Sequence, residues 1–251
     1  MREKMLEDKV VAITGASRGI GQQIAKTLAG EGASLIINGT NRERLVEVKR
    51  EIEALGRRCV VVAGDVAQPE TADSLVAAAK NEYGRLDILV NNAGINDRTK
   101  TADLSVEGWL NVINVNLNGT YYMCHAALPM MVNQRSGCIV NITSANGVTP
   151  HPNAAPSYGA SKAGVTYLTK HFALEYAKYG IRVNAVQCGP IASEMTDQWS
   201  PAYREACLSK VPLARLGEAA EVAWGVLFLA TEMGGFMTGA SINMSGGKLM
   251  Q

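Results

Sequence analysis

Short apolar runs alternate with longer stretches of helical periodicity along the whole chain. The runs that predict strands cover residues 10–14, 34–38, 59–63, 86–90, 138–142, 181–186 and 241–244. Because these runs are continuously apolar, we expect the strands to be buried on both faces, as in a parallel sheet covered by helices. The pattern therefore predicts an α/β fold, with a doubly wound, mostly parallel seven-stranded sheet and helices on both faces.

Helical spacing fills the segments between these runs. The predicted helices cover residues 20–29, 45–55, 70–82, 105–132, 157–178 and 218–231. In the second of them Leu45, Val48 and Ile52 recur three and four residues apart, and Gly56 ends the helix. No proline- or serine-rich linker, charge block or repeat interrupts the pattern, so we expect residues 1–251 to form a single domain.

Charge and cysteine content exclude several classes of protein. With 24 basic and 23 acidic side chains, the chain lacks the positive charge that nucleic-acid binding needs. No apolar run is longer than five residues and the first residues do not resemble a signal peptide, so we expect a cytoplasmic protein without a membrane partner. The five cysteines form no close pair of the zinc or redox type, and we predict no metal site.

The first motif with chemical meaning is the glycine-rich turn at residues 14–21, directly after the first strand. Gly15, Gly19 and Gly21 let the backbone approach a pyrophosphate, which the N-terminus of the next helix can hold. Such a turn alone is often only structural. Its position after the first strand of an alternating pattern favours dinucleotide binding.

The end of the second strand indicates which dinucleotide is bound. NAD-binding folds place an Asp or Glu there to hold the ribose 2′-hydroxyl, but the segment from Asn38 through Arg42 contains no acid. Arg18 and Arg42 could instead donate to a 2′-phosphate, although Arg42 is equally typical of a solvated helix start. We therefore expect NADP(H) in preference to NAD(H).

Tyr158 and Lys162 stand four residues apart on a predicted helix, which puts them on one face. Such a pair is common on helix surfaces. At about 4 Å an ammonium group would lower the pKa of the phenol by roughly three units, against the opposing effect of desolvation. A tyrosine tuned in this way could exchange a proton with a carbonyl or alcohol oxygen near neutral pH.

These motifs together resemble the short-chain dehydrogenase/reductase family over essentially the whole chain. The segments that match in order are residues 14–21, Asn91-Asn92-Ala93-Gly94, Ser144, Tyr158 with Lys162, and Gly246-Gly247. The chain is most similar to the 3-oxoacyl-carrier-protein reductase branch and to its sugar, alcohol and steroid dehydrogenase relatives. The resemblance implies a Rossmann-type sheet and an NAD(P)-dependent oxidoreductase.

The resemblance implies catalytic roles for Asn116, Ser144, Tyr158 and Lys162. Tyr158 would be the general acid/base, Lys162 would lower its pKa and bond the nicotinamide ribose, and Ser144 would hydrogen-bond the substrate oxygen. Asn116 would support a water that relays protons to Lys162. Ser144 could equally be an ordinary hydroxyl at a strand end, and an asparagine cluster at 114–118 could merely bridge helix and strand.

The resemblance also implies a set of cofactor contacts. They are Gly15, Ser17, Arg18, Gly19, Ile20, Gly21, Thr40, Asp65, Val66, Asn92, Ala93, Gly94, Tyr158, Lys162, Gly189, Ile191 and Ser193. Thr40 would lie near the 2′-phosphate, and Asp65 and Val66 near the adenine, while Asn91-Asn92 is also typical of residues that stabilise a sheet turn. Cys188 replaces the proline usual before Gly189, and we interpret it as a small packing residue, not a reactive thiol.

The function that the resemblance implies is reversible carbonyl reduction or secondary-alcohol oxidation by hydride transfer. A 3-oxoacyl-carrier-protein reductase, a sugar or polyol dehydrogenase and a hydroxysteroid dehydrogenase all remain open, and so does a non-catalytic cofactor-binding sensor or scaffold. Intact Ser144, Tyr158 and Lys162 favour an enzyme.

Substrate and assembly are less determined. We expect residues 192–212 to form a lid that includes Met195, Trp199 and Tyr203, which could equally be packing residues. Further pocket candidates are Asn146, His151 and Asn153, and the basic candidates for contact with an acidic carrier protein are Arg98, Lys100, Arg135 and Arg204. The resemblance implies a homotetramer formed through residues 105–132 and 157–178. The candidate interface or core residues there are Tyr121, Tyr122, Met123, Met130, Met131, Leu168 and Phe172.

Overall fold

A computed structural model describes residues 4–151, 153–197 and 199–250, without the Met195 side chain. Its strands are β1 (Val10–Ile13), β2 (Ser34–Gly39), β3 (Cys59–Ala63), β4 (Ile88–Asn91), β5 (Gly137–Ser144), β6 (Ile181–Cys188) and β7 (Ser241–Met244). Each lies within two residues of its predicted bounds, and β5 and β6 both continue two residues further at their carboxyl ends. The apolar runs therefore located every strand of the sheet.

The strands form one sheet in the order β3-β2-β1-β4-β5-β6-β7, and every neighbouring pair is parallel. The predicted doubly wound α/β fold is confirmed. β2 and β3 lie on one side of β1, and β4 to β7 lie on the other side, so the strand order reverses at β1. Such a switch point opens a crevice beyond the carboxyl ends of the strands, where ligands bind in this class of sheet.

Helices cover both faces of the sheet. They are α1 (Gly19–Gly30), α2 (Arg42–Ala54), α3 (Pro69–Tyr83), α4 (Val106–Ile113), α5 (Gly119–Gln134), α6 (Pro156–Tyr176), α7 (Glu194–Asp197), α8 (Pro201–Leu208) and α9 (Ala219–Ala230). Ile24, Leu45 and Val226 of α1, α2 and α9 belong to one buried core. Leu75 and Met123, from α3 and α5, belong to the core on the other face.

Two predicted segments differ from the structure. The predicted helix 105–132 is interrupted by a π-helical turn at Asn114–Asn118, and such turns often occur at functional sites. The segment 192–212 contains the short helices α7 and α8, which its sequence did not predict because the apolar residues there follow no sustained period. Both differences lie beside the candidate site.

No described helix is long and apolar enough to cross a membrane. All five cysteines are buried and free. Within the described ranges no group of three or more His, Cys, Asp or Glu side chains could hold a metal ion.

Candidate active site

Two adjoining cavities open at the carboxyl edge of the sheet. The larger, of about 520 Å³, is lined by the turn after β1 and by the ends of β2 and β4. The smaller, of about 270 Å³, is lined by Ser144, Tyr158 and Lys162. Asn92, Gly94 and Ile95 line both, so the two cavities share a wall. This wall lies where a ligand in the larger cavity would meet one in the smaller.

The turn between β1 and α1 requires its glycines for packing. A Cβ on Gly21 would lie 2.5 Å from Asn92 Nδ2 and closer still to the Gly15 carbonyl oxygen. A Cβ on Gly15, whose φ is +64°, would lie 2.8 Å from Ala93 Cα. The backbone is therefore pressed against β4, and only glycine leaves room for a phosphate group above the helix N-terminus.

The turn is held to β4 by Thr14 and Asn92. Thr14 Oγ1 accepts the backbone N–H groups of Asn92 and Ala93, at 3.0 and 3.1 Å. Asn92 Nδ2 donates in return to the carbonyl oxygens of Thr14 and Gly15, both at 3.0 Å. The amide N–H groups of Asn92 are thus engaged in the turn, and its side chain stabilises the cavity floor.

The rim of the larger cavity carries a charge cluster that sequence reasoning located only in part. Glu194 of α7 accepts from Arg18 Nη1 at 2.7 Å and from Arg44 Nη1 at 3.3 Å. The hydrogen bond from Arg18, with the positive charge of Arg44, lowers the pKa of Glu194. The arginine of α2 that contacts Glu194 is Arg44, which sequence reasoning did not single out.

Ser144 and Tyr158 face each other across the smaller cavity. Ser144 is the last residue of β5 and is 7% exposed; its hydroxyl accepts the Asn146 N–H at 3.2 Å and lies close enough to the Tyr158 phenol to affect its pKa. Burial raises the pKa of Tyr158, and the bond to Ser144 only partly offsets this. The structure thus brings together the hydroxyl groups that the sequence had placed 14 residues apart.

Lys162 occupies a different place from the one expected of a group that lowers the pKa of Tyr158. Its ammonium donates to the Ile142 carbonyl oxygen at 2.9 Å and lies 5.9 Å from the centre of the Tyr158 ring. Burial lowers the pKa of Lys162 itself to about 8. The pKa of Tyr158 is therefore raised and not lowered, because burial is the largest effect on it and Lys162 is not among the groups that shift it.

Asn116 is buried at the π-helical turn, where its side chain bridges two segments. Oδ1 accepts the Ile95 N–H at 2.8 Å, and Nδ2 donates to the Ile95 carbonyl at 2.9 Å and to Ser161 Oγ at 3.0 Å. A Cβ on Gly94 would lie 3.3 Å from both Asn116 Oδ1 and Lys162 Nζ. Asn116 therefore fixes the loop after β4 against α6 right beside Lys162, which agrees with the bridging alternative for its side chain.

Cys188 ends β6 and lines the smaller cavity. Burial raises the pKa of its thiol to about 12, so the thiolate is not formed at neutral pH. This agrees with the interpretation of Cys188 as a small packing residue. The next residue must be glycine, because a Cβ on Gly189 would lie 2.6 Å from Ser245 Cα. Ile191 then forms a parallel β-bridge with Gly217 just before α7 begins.

The remaining candidates divide by position. Ser17, Gly19, Ile20, Thr40, Asp65, Val66, Ala93 and Ser193 line the larger cavity. Asn146, His151, Asn153, Trp199, Tyr203, Gly189 and Ile191 line the smaller one together with Arg98. The Met195 side chain lies outside the described residues. Lys100 and Arg204 are exposed and line neither cavity, while Arg135 lies at the opposite, amino edge of the sheet, just before β5 begins.

The charged residues Arg44, Glu194 and Lys248 are among those that sequence reasoning missed. Arg44 and Glu194 meet across a separation of 150 residues, which no local spacing reveals. Lys248 lines the smaller cavity because the glycine turn at 246–247 brings the end of the chain back to it. The glycine pair was visible in the sequence, but the direction of the side chain after it was not.

Comparison with known proteins agrees with this geometry. The family model described as enoyl-(acyl carrier protein) reductase matches residues 15–248. The chain is 40% identical over 243 residues to the 3-oxoacyl-[acyl-carrier-protein] reductase FabG of Staphylococcus aureus, covering 96% of this chain and 98% of that protein. It is also 40% identical over 242 residues to the protein of that name from Thermotoga maritima, with the same coverage.

Solved structures give the same result. The 3-oxoacyl-[acyl-carrier protein] reductase of Brucella melitensis superposes with a TM-score of 0.94 at 34% identity, over 99% of this chain and 94% of that one. The structure titled gox2181 has a TM-score of 0.94 at 33% identity, over 98% of both chains. The chain belongs to the short-chain dehydrogenase/reductase family, and it is an oxidoreductase enzyme.

Proposed function

We propose that the protein catalyses reversible carbonyl reduction with NADP(H), using Tyr158 as the general acid/base. The observation that carries this proposal is the Ser144–Tyr158 pair beside Lys162 in the smaller cavity, which shares a wall with a larger, dinucleotide-sized cavity. An arrangement of this kind can protonate an oxygen atom in the smaller cavity while its carbon faces the larger cavity.

The residues of the larger cavity fit a nicotinamide dinucleotide phosphate. The glycine turn provides a cradle that a Cβ would fill, and Asn38 Oδ1 at the end of β2 is buried without a partner. Arg18 and Arg44 supply guanidinium donors suited to a 2′-phosphate, and Asp65 and Val66 would contact the adenine. The cofactor supplies the hydride when bound. These contacts favour NADP(H) over NAD(H).

Proton transfer would follow from the environment of Tyr158. Its raised pKa keeps the phenol protonated at neutral pH, which suits a group that gives a proton to a carbonyl oxygen. Ser144 would donate to the same oxygen, and Lys162 would hold the cofactor ribose and restore the phenol proton. Asn116, bonded to Ile95 and Ser161, keeps the neighbourhood of Lys162 in place.

A 3-oxoacyl thioester on a carrier protein is the first candidate substrate, because the relatives described above carry that name. Sugar or polyol and hydroxysteroid substrates are the alternatives. A non-catalytic sensor is disfavoured by the intact Ser144–Tyr158 pair.

We also infer that residues 1–251 form one domain with 192–212 as a lid, and that the protein is a cytoplasmic homotetramer. Free buried cysteines fit a reducing compartment. Val106, Tyr167 and Leu174 of α4 and α6 expose large apolar surface that a second subunit would cover. Of the earlier candidates Tyr121 is exposed, whereas Met123, Met131 and Phe172 are core residues. Sedimentation at micromolar concentration should show four chains, and a monomer would contradict this.

The test is NADPH oxidation measured with a panel of acyl thioesters, ketoses and steroid ketones. We expect at least one class to be reduced, with NADPH used better than NADH. Absence of turnover across the panel, with NADPH bound, would favour the sensor alternative. The preferred class would identify the substrate.

A further inference from the structure

The smaller cavity has a one-sided charge. Four basic side chains line it, Lys162 beside Tyr158 and the further three Arg98, His151 and Lys248, and no Asp or Glu is among its lining residues. The nearest carboxylate in sequence, Asp97, is engaged locally, since its Oδ1 accepts from the backbone N–H and hydroxyl of Thr99 at 2.8 and 2.7 Å. The cavity therefore presents cations to whatever occupies it.

Lys248 is held in the cavity by a turn that only glycine can form. Gly246 and Gly247 have φ values of +63° and +86°, and a Cβ on them would lie 2.7 Å from Val211 and 2.9 Å from Pro212. Beyond the turn, Leu249 is buried and its N–H donates to Ser245 Oγ at 3.1 Å. The backbone at Lys248 is thus held beside the cavity, and its side chain is half-buried there.

No carboxylate is among the groups that act on the Lys248 ammonium. Burial lowers the pKa of Lys248 and Lys210 adds to that effect, while Cys207 acts in the opposite direction. Partial burial of a cation without an opposite charge is unfavourable, and a bound anion would relieve it. Structural lysines are ordinarily solvated or paired, so this one points to a ligand.

His151 and Arg98 complete the group. His151 Nδ1 accepts the Asn153 N–H at 3.2 Å, which leaves Nε2 as the donor nitrogen. Burial, Lys248, Lys210 and Lys100 all lower the pKa of His151, so it lies in the field of three lysines. The Arg98 guanidinium lies 5.9 Å from the centre of the Tyr203 ring, and Trp199 Nε1 on the same lining is buried without an acceptor.

We propose that Arg98, His151 and Lys248 form an anion subsite in the smaller cavity, so that the substrate is a carbonyl compound that itself carries a carboxylate or a phosphate. The inference rests on the proposed carbonyl reduction and narrows its substrate class. It favours a substrate with a negatively charged group over a neutral one, because Arg98, His151 and Lys248 offer N–H donors in the cavity wall.

The experiment compares matched charged and neutral substrates with NADPH. One arm uses acetoacetate against ethyl acetoacetate, and the other uses dihydroxyacetone phosphate against dihydroxyacetone. We expect kcat/KM to favour the anion at least tenfold in one arm, which also shows whether carboxylate or phosphate is preferred. Equal or better turnover of both neutral partners would overturn the subsite while leaving carbonyl reduction intact.

Lys248→Met removes the charge and keeps the length of the side chain, and Lys80→Met is the matched control on the exposed end of α3. We expect Lys248→Met to reduce the anion-over-neutral ratio by about ten- to a hundredfold, with Lys80→Met unchanged. A ratio unchanged by Lys248→Met would contradict the proposal, and thermal unfolding of each variant shows that it folds.

The two proposals fail in different ways. If no carbonyl compound is reduced, the proposed function is wrong, and the subsite is then decided by calorimetry with acetoacetate and with inorganic phosphate. Binding that is lost in Lys248→Met and kept in Lys80→Met supports an anion subsite. Absence of binding of both anions to the unaltered protein overturns it.

Discussion

The two cavities of this enzyme differ in what forms their walls: backbone in the larger cavity and side chains in the smaller one. The larger one is formed by backbone, in turns where Gly15 and Gly21 press against β4 and hydrogen bonds from Thr14 and Asn92 lock the approach. The smaller one is lined on its outer side by side chains such as Tyr203 and Lys248, which arrive from separate segments late in the chain. Backbone geometry leaves few acceptable residues, whereas a side-chain wall can be rebuilt for another substrate.

The largest effect is expected from adding a single methyl group to the turn after β1, which tests whether the larger cavity depends on close backbone packing. We expect Gly21→Ala to abolish measurable NADPH binding or to prevent folding, because its Cβ would overlap the Gly15 carbonyl and approach Asn92 Nδ2 to 2.5 Å. Fluorescence titration and thermal unfolding measure both effects. Gly30→Ala, where a Cβ would meet nothing within 4 Å, is the control at the other end of α1 and should bind normally.

A smaller effect is expected from the buried charge of Lys162 in the smaller cavity. The pKa of Lys162 is about 8 in the folded protein against 10.5 ordinarily, so between these pH values the unfolded chain binds the additional proton. The free energy of unfolding should therefore rise by about 3 kcal/mol from pH 8 to pH 10.5, relative to Lys162→Met. Urea unfolding across this range measures it. Parallel pH profiles for the two proteins would show that Lys162 is not desolvated.

The smallest effect concerns the exposed arginines at the rim. Arg44→Gln should lower the preference for NADPH over NADH about fivefold, since the exposed guanidinium is partly screened by solvent. Arg42→Gln is the matched control two residues away and should leave the preference unchanged. Steady-state kinetics with both cofactors decides between them, and a larger loss in Arg42→Gln would restore the expectation drawn from sequence alone.

The sequence predicted best what repeats locally. Continuous apolar runs located the strands, and the spacing of Gly15, Gly19 and Gly21 located the turn. Both signals lie within a few consecutive residues, so the sequence alone shows them. Tyr158 and Lys162 were found for the same reason, four residues apart on one helix.

Contacts between distant segments could not be predicted. Glu194 meets Arg18 across 176 residues, and Lys248 reaches the cavity only through the turn at 246–247. The expected lowering of the Tyr158 pKa was wrong because burial, which sequence does not report, outweighs charge at that position. The π-helical turn at Asn114–Asn118 was hidden in the same way within a continuous helical pattern.

The measurement that tests the central claim most directly is turnover of Tyr158→Phe alongside its NADPH affinity. Removing one hydroxyl leaves the ring to pack beside Lys162 and removes the proton that the carbonyl oxygen needs. We predict that kcat falls by about a hundredfold or more while NADPH binds within a few-fold of the unaltered enzyme. Turnover that stays near that of the unaltered enzyme, with the same substrate and cofactor, would contradict the assignment of Tyr158 as the general acid.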